Sequence, residues 1–192
     1  MILKAYRRWR RDRILQASTL DDALWTDTVR HFPFAWTLAD DDQRRLRELV
    51  VLFLHEKDWS VAEGVELSAE MQVWVALQAC ILILNLGIDY YRGWSGIIVY
   101  PAQFVPRHQH VDENGIVHET EDPYMGEAWL GGPVVLSWED AQGSDFPDGV
   151  NVVIHEFAHK LDMLNGDANG FPPLHPEMPR ERWESIWRAA YA

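Results

Sequence analysis

NVVIHEFAHKLDMLNG, residues 151–166, is the stretch on which the reading of this chain turns. His155 and His159 stand four residues apart, so an α-helix places both imidazoles on one face, one turn apart. Two ring nitrogens so placed can reach one metal ion at about 2.0–2.1 Å each. Glu156 is rotated about 100° from the first histidine around the helix axis. That offset keeps its carboxylate off the metal and within reach of a water that the metal activates. Zinc lowers the pKa of such a water toward about 7. Glu156 is then placed to take the water's proton during attack on a carbonyl and to pass it to the leaving amine. The pattern is that of a zinc peptidase; the competing reading is a surface helix with two ordinary histidines. Apolar flanks at Val152, Val153, Ile154, Leu161, Met163 and Leu164 favour a helix set into a core. Asp162, three residues after His159, shares its face. It reads either as a carboxylate that takes the second N–H of a ligating imidazole or as an ordinary helix-surface or capping residue.

Outward from this stretch, Asp145 and Pro147 are start signals for a helix beginning near Asp148, and Asn165-Gly166 is a stop signal. A loop rich in Pro, Gly and Asn runs from Asp167 to Pro179. A last amphipathic stretch from Arg180 carries Trp183, Ile186 and Trp187 on one face and reaches Ala192 with no stop signal, so the chain reads as cut in or near a helix. A catalytic zinc usually has three protein ligands and an open position. His175, Glu177, Glu181 and Glu184 are the downstream candidates for the third, and no motif marks any of them out.

Upstream, the first clear helix follows Leu38-Ala39, with Asp40 as a candidate cap and Gln43 reaching back. Leu46, Leu49, Val50 and Phe53 recur at helical spacing, and the helix should end between His55 and Asp58. A second helix is capped by Ser68 and runs through Met71, Val73, Trp74, Leu77, Cys80, Ile81 and Leu84 to a stop at Gly87. It is apolar on most of its circumference, so it should be central. Strand character fills residues 94–140: Ile97 to Tyr100, Ile116 to Glu119 after an Asn114-Gly115 turn, and Val134 to Trp138 after Gly131-Gly132-Pro133. His108, His110 and His118 fall in this region at a spacing that fits no common metal site. His55-Glu56 lacks a second histidine four residues on and takes no metal role.

The 192 residues are 47% apolar with ten tryptophans, enough for one sizeable core. Residues 1–13 form a basic arm of charge +5 within a chain of net charge -13, which leaves the remainder at -18. So acidic a body excludes direct nucleic-acid binding through a broad basic face and suits a basic protein partner. The arm reads as a solvated helix start on an exposed terminus, the alternative being a contact with acidic lipid or nucleic acid. Cys80 is the lone cysteine, an inert buried thiol by its apolar neighbours, and no disulfide is possible within one chain. No signal-peptide core follows the basic arm, and the longest apolar run, Ala79 to Leu84, is far too short for a membrane span. These features point to a cytoplasmic protein.

The chain resembles the Mlc titration factor A (MtfA) family of zinc-dependent metallopeptidases. The similar stretches are RRLRELVVLFLHEKDW (44–59), QACILILNLGIDYYRGWSGIIVY (78–100), VVLSWED (134–140) and NVVIHEFAHKLDMLNGDANGFPPLHP (151–176). The resemblance implies an α+β fold, with a mainly helical N-terminal part packed on a small mixed sheet. Its active-site helix would be of the gluzincin type, related to the catalytic domain of anthrax lethal factor. Residues 1–192 would form a single zincin-like domain, incomplete at the C-terminus. The implied cofactor is Zn2+, with His155 and His159 as ligands and Glu156 as base. The family's third ligand, a Glu in a later helix, matches no position here and would follow Ala192. The implied activity is that of a cytoplasmic peptidase of aminopeptidase type, acting on peptides. The implied partner is an Mlc-like repressor, which the family binds and inactivates. By the same resemblance Val134, Val135, Leu136, Ser137 and Trp138 would hold substrate backbone by strand addition, the alternative being an ordinary internal strand. Two further readings stand beside the peptidase: a repressor-sequestering protein with little or no activity, and an inactive fragment.

Overall fold

Val73 through Cys80 are all buried, so one helix runs through the middle of the protein. It is α5 (Ala69–Leu82) in the computed structural model, which describes residues 2–64, 66–104, 108–111, 117–120, 125–143 and 149–190. Ser68 caps it as the sequence indicates, its hydroxyl accepting from the Met71 N–H at 3.1 Å. The chain leaves the helix through a turn to Gly87, whose φ of 86° is open to glycine without strain.

α4 (Asp40–Glu56) packs on α5 through Leu46, Leu49, Val50, Leu52 and Phe53. Its start differs from the expected cap. Asp40 is already helical, and Ala39 before it supplies no side-chain bond. Gln43 does reach back, but it donates to the carbonyls of Trp36 and Leu38 at 3.1 and 3.0 Å. Asp40, Asp41 and Asp42 complement the positive end of the helix dipole instead. The basic arm is the beginning of a full helix, α1 (Ile2–Ala17), followed by α2 (Asp22–Arg30) and α3 (Pro33–Trp36). Buried Ile14 and the Arg11–Asp89 ion pair at 2.8 Å hold α1 to the body.

The strands are β1 (Asp58–Val61), β2 (Gly96–Tyr100), β3 (His108–Val111), β4 (Val117–Thr120), β5 (Gly126–Ala128) and β6 (Val134–Ser137). Four of them form one mixed sheet in the order β1-β2-β6-β5, with β1, β2 and β6 parallel and β5 antiparallel to β6. β3 and β4 pair separately, with His110 opposite His118. The Asn114-Gly115 turn expected between them lies outside the described residues. The architecture is therefore α+β, as expected. Trp138 is not a strand residue: Ser137 ends β6 and caps α6 (Trp138–Gln142) by accepting from the Asp140 N–H at 3.3 Å. α7 (Val152–Asp162) packs on α5, β5 and β6, and α8 (Arg180–Ala190) ends the described chain. Among the described residues no helix is long and apolar enough to cross a membrane.

Phe157 of α7 is fully buried among Phe53, Tyr91 and Trp94, with ring centroids 5.6, 5.5 and 5.9 Å away. Two buried lysines flank the same Trp94 indole. Lys57 Nζ lies 3.6 Å from its centroid and donates to the Tyr91 and Trp94 carbonyls at 2.6 and 2.8 Å. Lys160 Nζ lies 4.6 Å from it and donates to the Trp129 and Gly132 carbonyls at 2.6 Å each. Burial pulls both ammonium groups down to about 8.

Phe157→Ala should cost roughly 3–5 kcal/mol, the usual range for emptying an aromatic site, read as a fall in the urea midpoint at unchanged slope. Lys57 supplies a pH test. Between about 8 and about 10.5 the unfolded chain keeps a proton that the folded Lys57 has lost, so this group's contribution to stability rises with pH across that window. The stability of the wild type relative to Lys57→Met should therefore improve from pH 8 to 10.5. The difference between the two proteins reports Lys57 together with its charge coupling to Lys160 and Cys80, and urea curves at each pH measure it.

Candidate active site

α7 begins at Val152, later than the expected start near Asp148, and Asp145 and Pro147 lie outside the described residues. Its cap is Asn151. The Asn151 Oδ1 accepts from the Ile154 N–H at 2.7 Å, while its Nδ2 donates to Gln78 Oε1 on α5 at 2.7 Å. Gln78 is fully buried, and its own amide donates to the Trp74 carbonyl at 3.1 Å. One asparagine thus starts the helix and ties its first turn to the central helix. At the other end a 3-10 turn (Met163–Asn165) runs into Gly166, the expected stop.

Within α7 the residues divide by face. Val152, Val153 and Phe157 go into the core, whereas His155 is exposed and His159 half-buried on the open side. The two Nε2 atoms converge to 3.1 Å. Nitrogens this close fit a shared ion at about 2.0–2.1 Å from each. Burial, then the neighbouring His155 charge, lowers the pKa of His159, with Asp162 opposing. The neutral imidazole that results is the form that ligates a metal. Glu156 is buried at 5% exposure, and its carboxyl is raised to about 7, first by burial and then by the charge of Glu127. The helix therefore brings the two histidines and the glutamate together as the spacing requires.

Other expected residues sit elsewhere. Asp162 makes no hydrogen bond to either imidazole. Its Oδ2 accepts from the Gly170 N–H at 2.7 Å, and its buried Oδ1 has no partner among the described residues. It tethers the 166–179 loop to the end of α7 and reaches His159 only through its charge. His175, Glu177, Glu181 and Glu184 do not join the pair: among the described residues no third His, Cys, Asp or Glu completes a ligand cluster. Glu184 pairs with Arg188 on α8 instead.

The substrate strand needs correcting. Val134, Val135, Leu136 and Ser137 are all buried in β6, which has β2 on one side and β5 on the other, so its main chain is fully engaged within the sheet. The sheet edge beside α7 is β5. Ser137 N donates to the Met125 carbonyl at 2.8 Å and Trp129 N to the Pro133 carbonyl at 3.2 Å. The antiparallel alternation then turns Glu127 toward β6 and leaves the N–H and C=O groups of Gly126 and Ala128 on the open side. β5 was missed because three residues with a glycine and no β-branched side chain carry no strand signal. A cleft of ≈ 1000 Å³ runs along this edge, lined by Gly126, Glu127, Ile154, His155, Glu156 and His159 among others.

The family model described as glucose-regulated metallo-peptidase M90 matches residues 6–192. Among curated proteins, the chain is 36% identical over 182 residues to a Salmonella arizonae protein named Mlc titration factor A, covering 95% of this chain and 71% of that one. It is 39% identical over 153 residues to a Klebsiella pneumoniae protein of the same name, covering 80% and 58%. To the Escherichia fergusonii protein of that name it is 36% identical over 170 residues, covering 88% and 64%. The chain thus spans between 58% and 71% of the length of these relatives.

Asn151→Ala removes the cap of α7 and leaves Gln78 Oε1 without that donor. Its cost should be about 1–3 kcal/mol, measured by urea unfolding, and greater than that of a solvent-side change such as Ala158→Ser.

Proposed function

Because this chain belongs to the glucose-regulated metallo-peptidase family M90, we propose that it hydrolyses peptides at a zinc held by His155 and His159, with Glu156 as general base. The observation that carries the proposal is the 3.1 Å approach of the two imidazole nitrogens beside a buried carboxyl raised to about 7. A bound zinc supplies Lewis acidity toward the scissile carbonyl and the attacking water. The protein's own groups do the rest. His155 and His159 present their ring nitrogens from one rigid helix. Glu156 takes the proton of the attacking water and returns it to the departing amine, and an acid–base group with a pKa near neutrality serves both transfers. The open edge of β5 suits an extended peptide laid alongside α7, with the main chain of Gly126 and Ala128 as its partners. The reading also takes residues 1–192 as one zincin-like, gluzincin-type unit with aminopeptidase-like action. A cytoplasmic setting fits its single buried Cys80.

A second reading is supported by the name of the relatives. In it the chain binds an Mlc-like repressor, and sequestration is its function. The two readings separate cleanly in one variant. Glu156→Gln should bind zinc as the wild type does, read by titration with zinc, and lose roughly 10²–10⁴-fold in turnover of a peptide substrate. Unchanged turnover removes Glu156 from the mechanism. His155→Ala should lose the metal itself. Repressor capture that survives in Glu156→Gln supports the second reading as a separate function.

A further inference from the structure

β5 meets α7 at a point where it has no side chain. A Cβ on Gly126 would lie 2.7 Å from Glu156 Cγ, 2.9 Å from Glu156 Oε1 and 2.8 Å from Val152 Cγ2. Gly126 is not among the glycines with positive φ, so its backbone is open to any residue and room is what the position demands. Gly131 and Gly149 nearby show the opposite case: both have positive φ, and an added Cβ would meet nothing within 4 Å. Two of the three atoms crowding the Gly126 position belong to Glu156, one of them a carboxylate oxygen. The side chain of Glu156 thus lies directly against bare backbone.

We propose that Gly126 is a positioning residue for Glu156: the missing side chain on β5 is the seat that fixes where the carboxylate lies. This rests on the reading of Glu156 as the base. Any Cβ there must push the Glu156 side chain or part β5 from α7, because packed neighbours do not yield several tenths of an ångström freely. The same residue turns its N–H and C=O to the open sheet edge. One glycine therefore sets the distance between the base and a peptide backbone aligned along β5, and displacement of a reacting group by as little as 1 Å can cost 10²-fold in rate.

The test is a double-mutant cycle read first by thermal unfolding of the metal-free protein. Gly126→Ala should lower the melting temperature by several degrees. In a Glu156→Ala background, where Cγ and Oε1 are gone, that drop should shrink; in a Val152→Ala background, which removes one of the three crowding atoms, it should shrink by less. Equal drops in all three backgrounds overturn the proposal. If Gly126→Ala alone does not fold, a folded Gly126→Ala/Glu156→Ala protein supports the seat and an unfolded one overturns it. Peptide hydrolysis is the second readout. Gly126→Ala should reduce kcat by at least about 10-fold with KM within about twofold and zinc content unchanged. A raised KM at unchanged kcat would place Gly126 in substrate alignment alone and overturn the role toward the base. A wild-type protein that hydrolyses no peptide removes the peptidase reading, while the coupling in the unfolding cycle still decides the seat.

Discussion

The ring of Phe157 lies among Phe53, Tyr91 and Trp94, and this contact sets the rotation of α7 about its own axis. Side chains one and two positions away on a helix point in directions fixed by the 3.6-residue turn. Once Phe157 is committed to the core, His155 and His159 face the opening and Glu156 lies between core and cleft. The cage is itself secured. The Tyr91 hydroxyl donates to the Ala79 carbonyl of α5 at 2.8 Å, and the ammonium groups of Lys57 and Lys160 both lie against the Trp94 ring.

Lys160 carries this arrangement across to the sheet. It stands next to His159 on α7, yet its Nζ donates to two carbonyls of the turn joining β5 and β6. An ammonium buried with only two carbonyls and an indole face costs desolvation, which is why its pKa falls. What the contact secures is the register between the helix that bears the histidines and the strand that edges the cleft. Asn151 does the same at the start of α7, joining it to α5 through Gln78. The helix is pinned at its cap, its middle and its last turn. The polar residues on its open face take no part in that pinning.

Much of this was legible residue by residue. The i, i+4 histidines define a helical face whatever surrounds them, and Asn165-Gly166 ends that helix where expected. Leu46, Leu49, Val50 and Phe53 mark α4, and Ser68 marks the start of α5, because periodicity and caps are local properties. The errors have local causes too. Asp40 is a good start residue by type, but α4 begins where Ala39 leaves extended backbone, and α7, expected from near Asp148, begins after Asn151. The basic residues 1–13 do start a helix, and it is Ile14, one apolar residue beside a run of charges, that is buried against the body.

By itself the sequence determined the chemistry on one helix: two imidazoles and a carboxyl whose mutual placement follows from 3.6 residues per turn. It could not determine which strand lies at the edge. Val134 to Ser137 reads as a strand from its composition, but whether a strand has one neighbour or two depends on chain segments far away in sequence. Only the tertiary structure shows β2 and β5 enclosing β6, and among the described residues it makes β5 the sheet edge beside α7. Only the tertiary structure, likewise, gives Gly126 its meaning. A glycine with an ordinary backbone angle is silent in a sequence, and its importance arises from Glu156, thirty positions later, lying where a side chain would be.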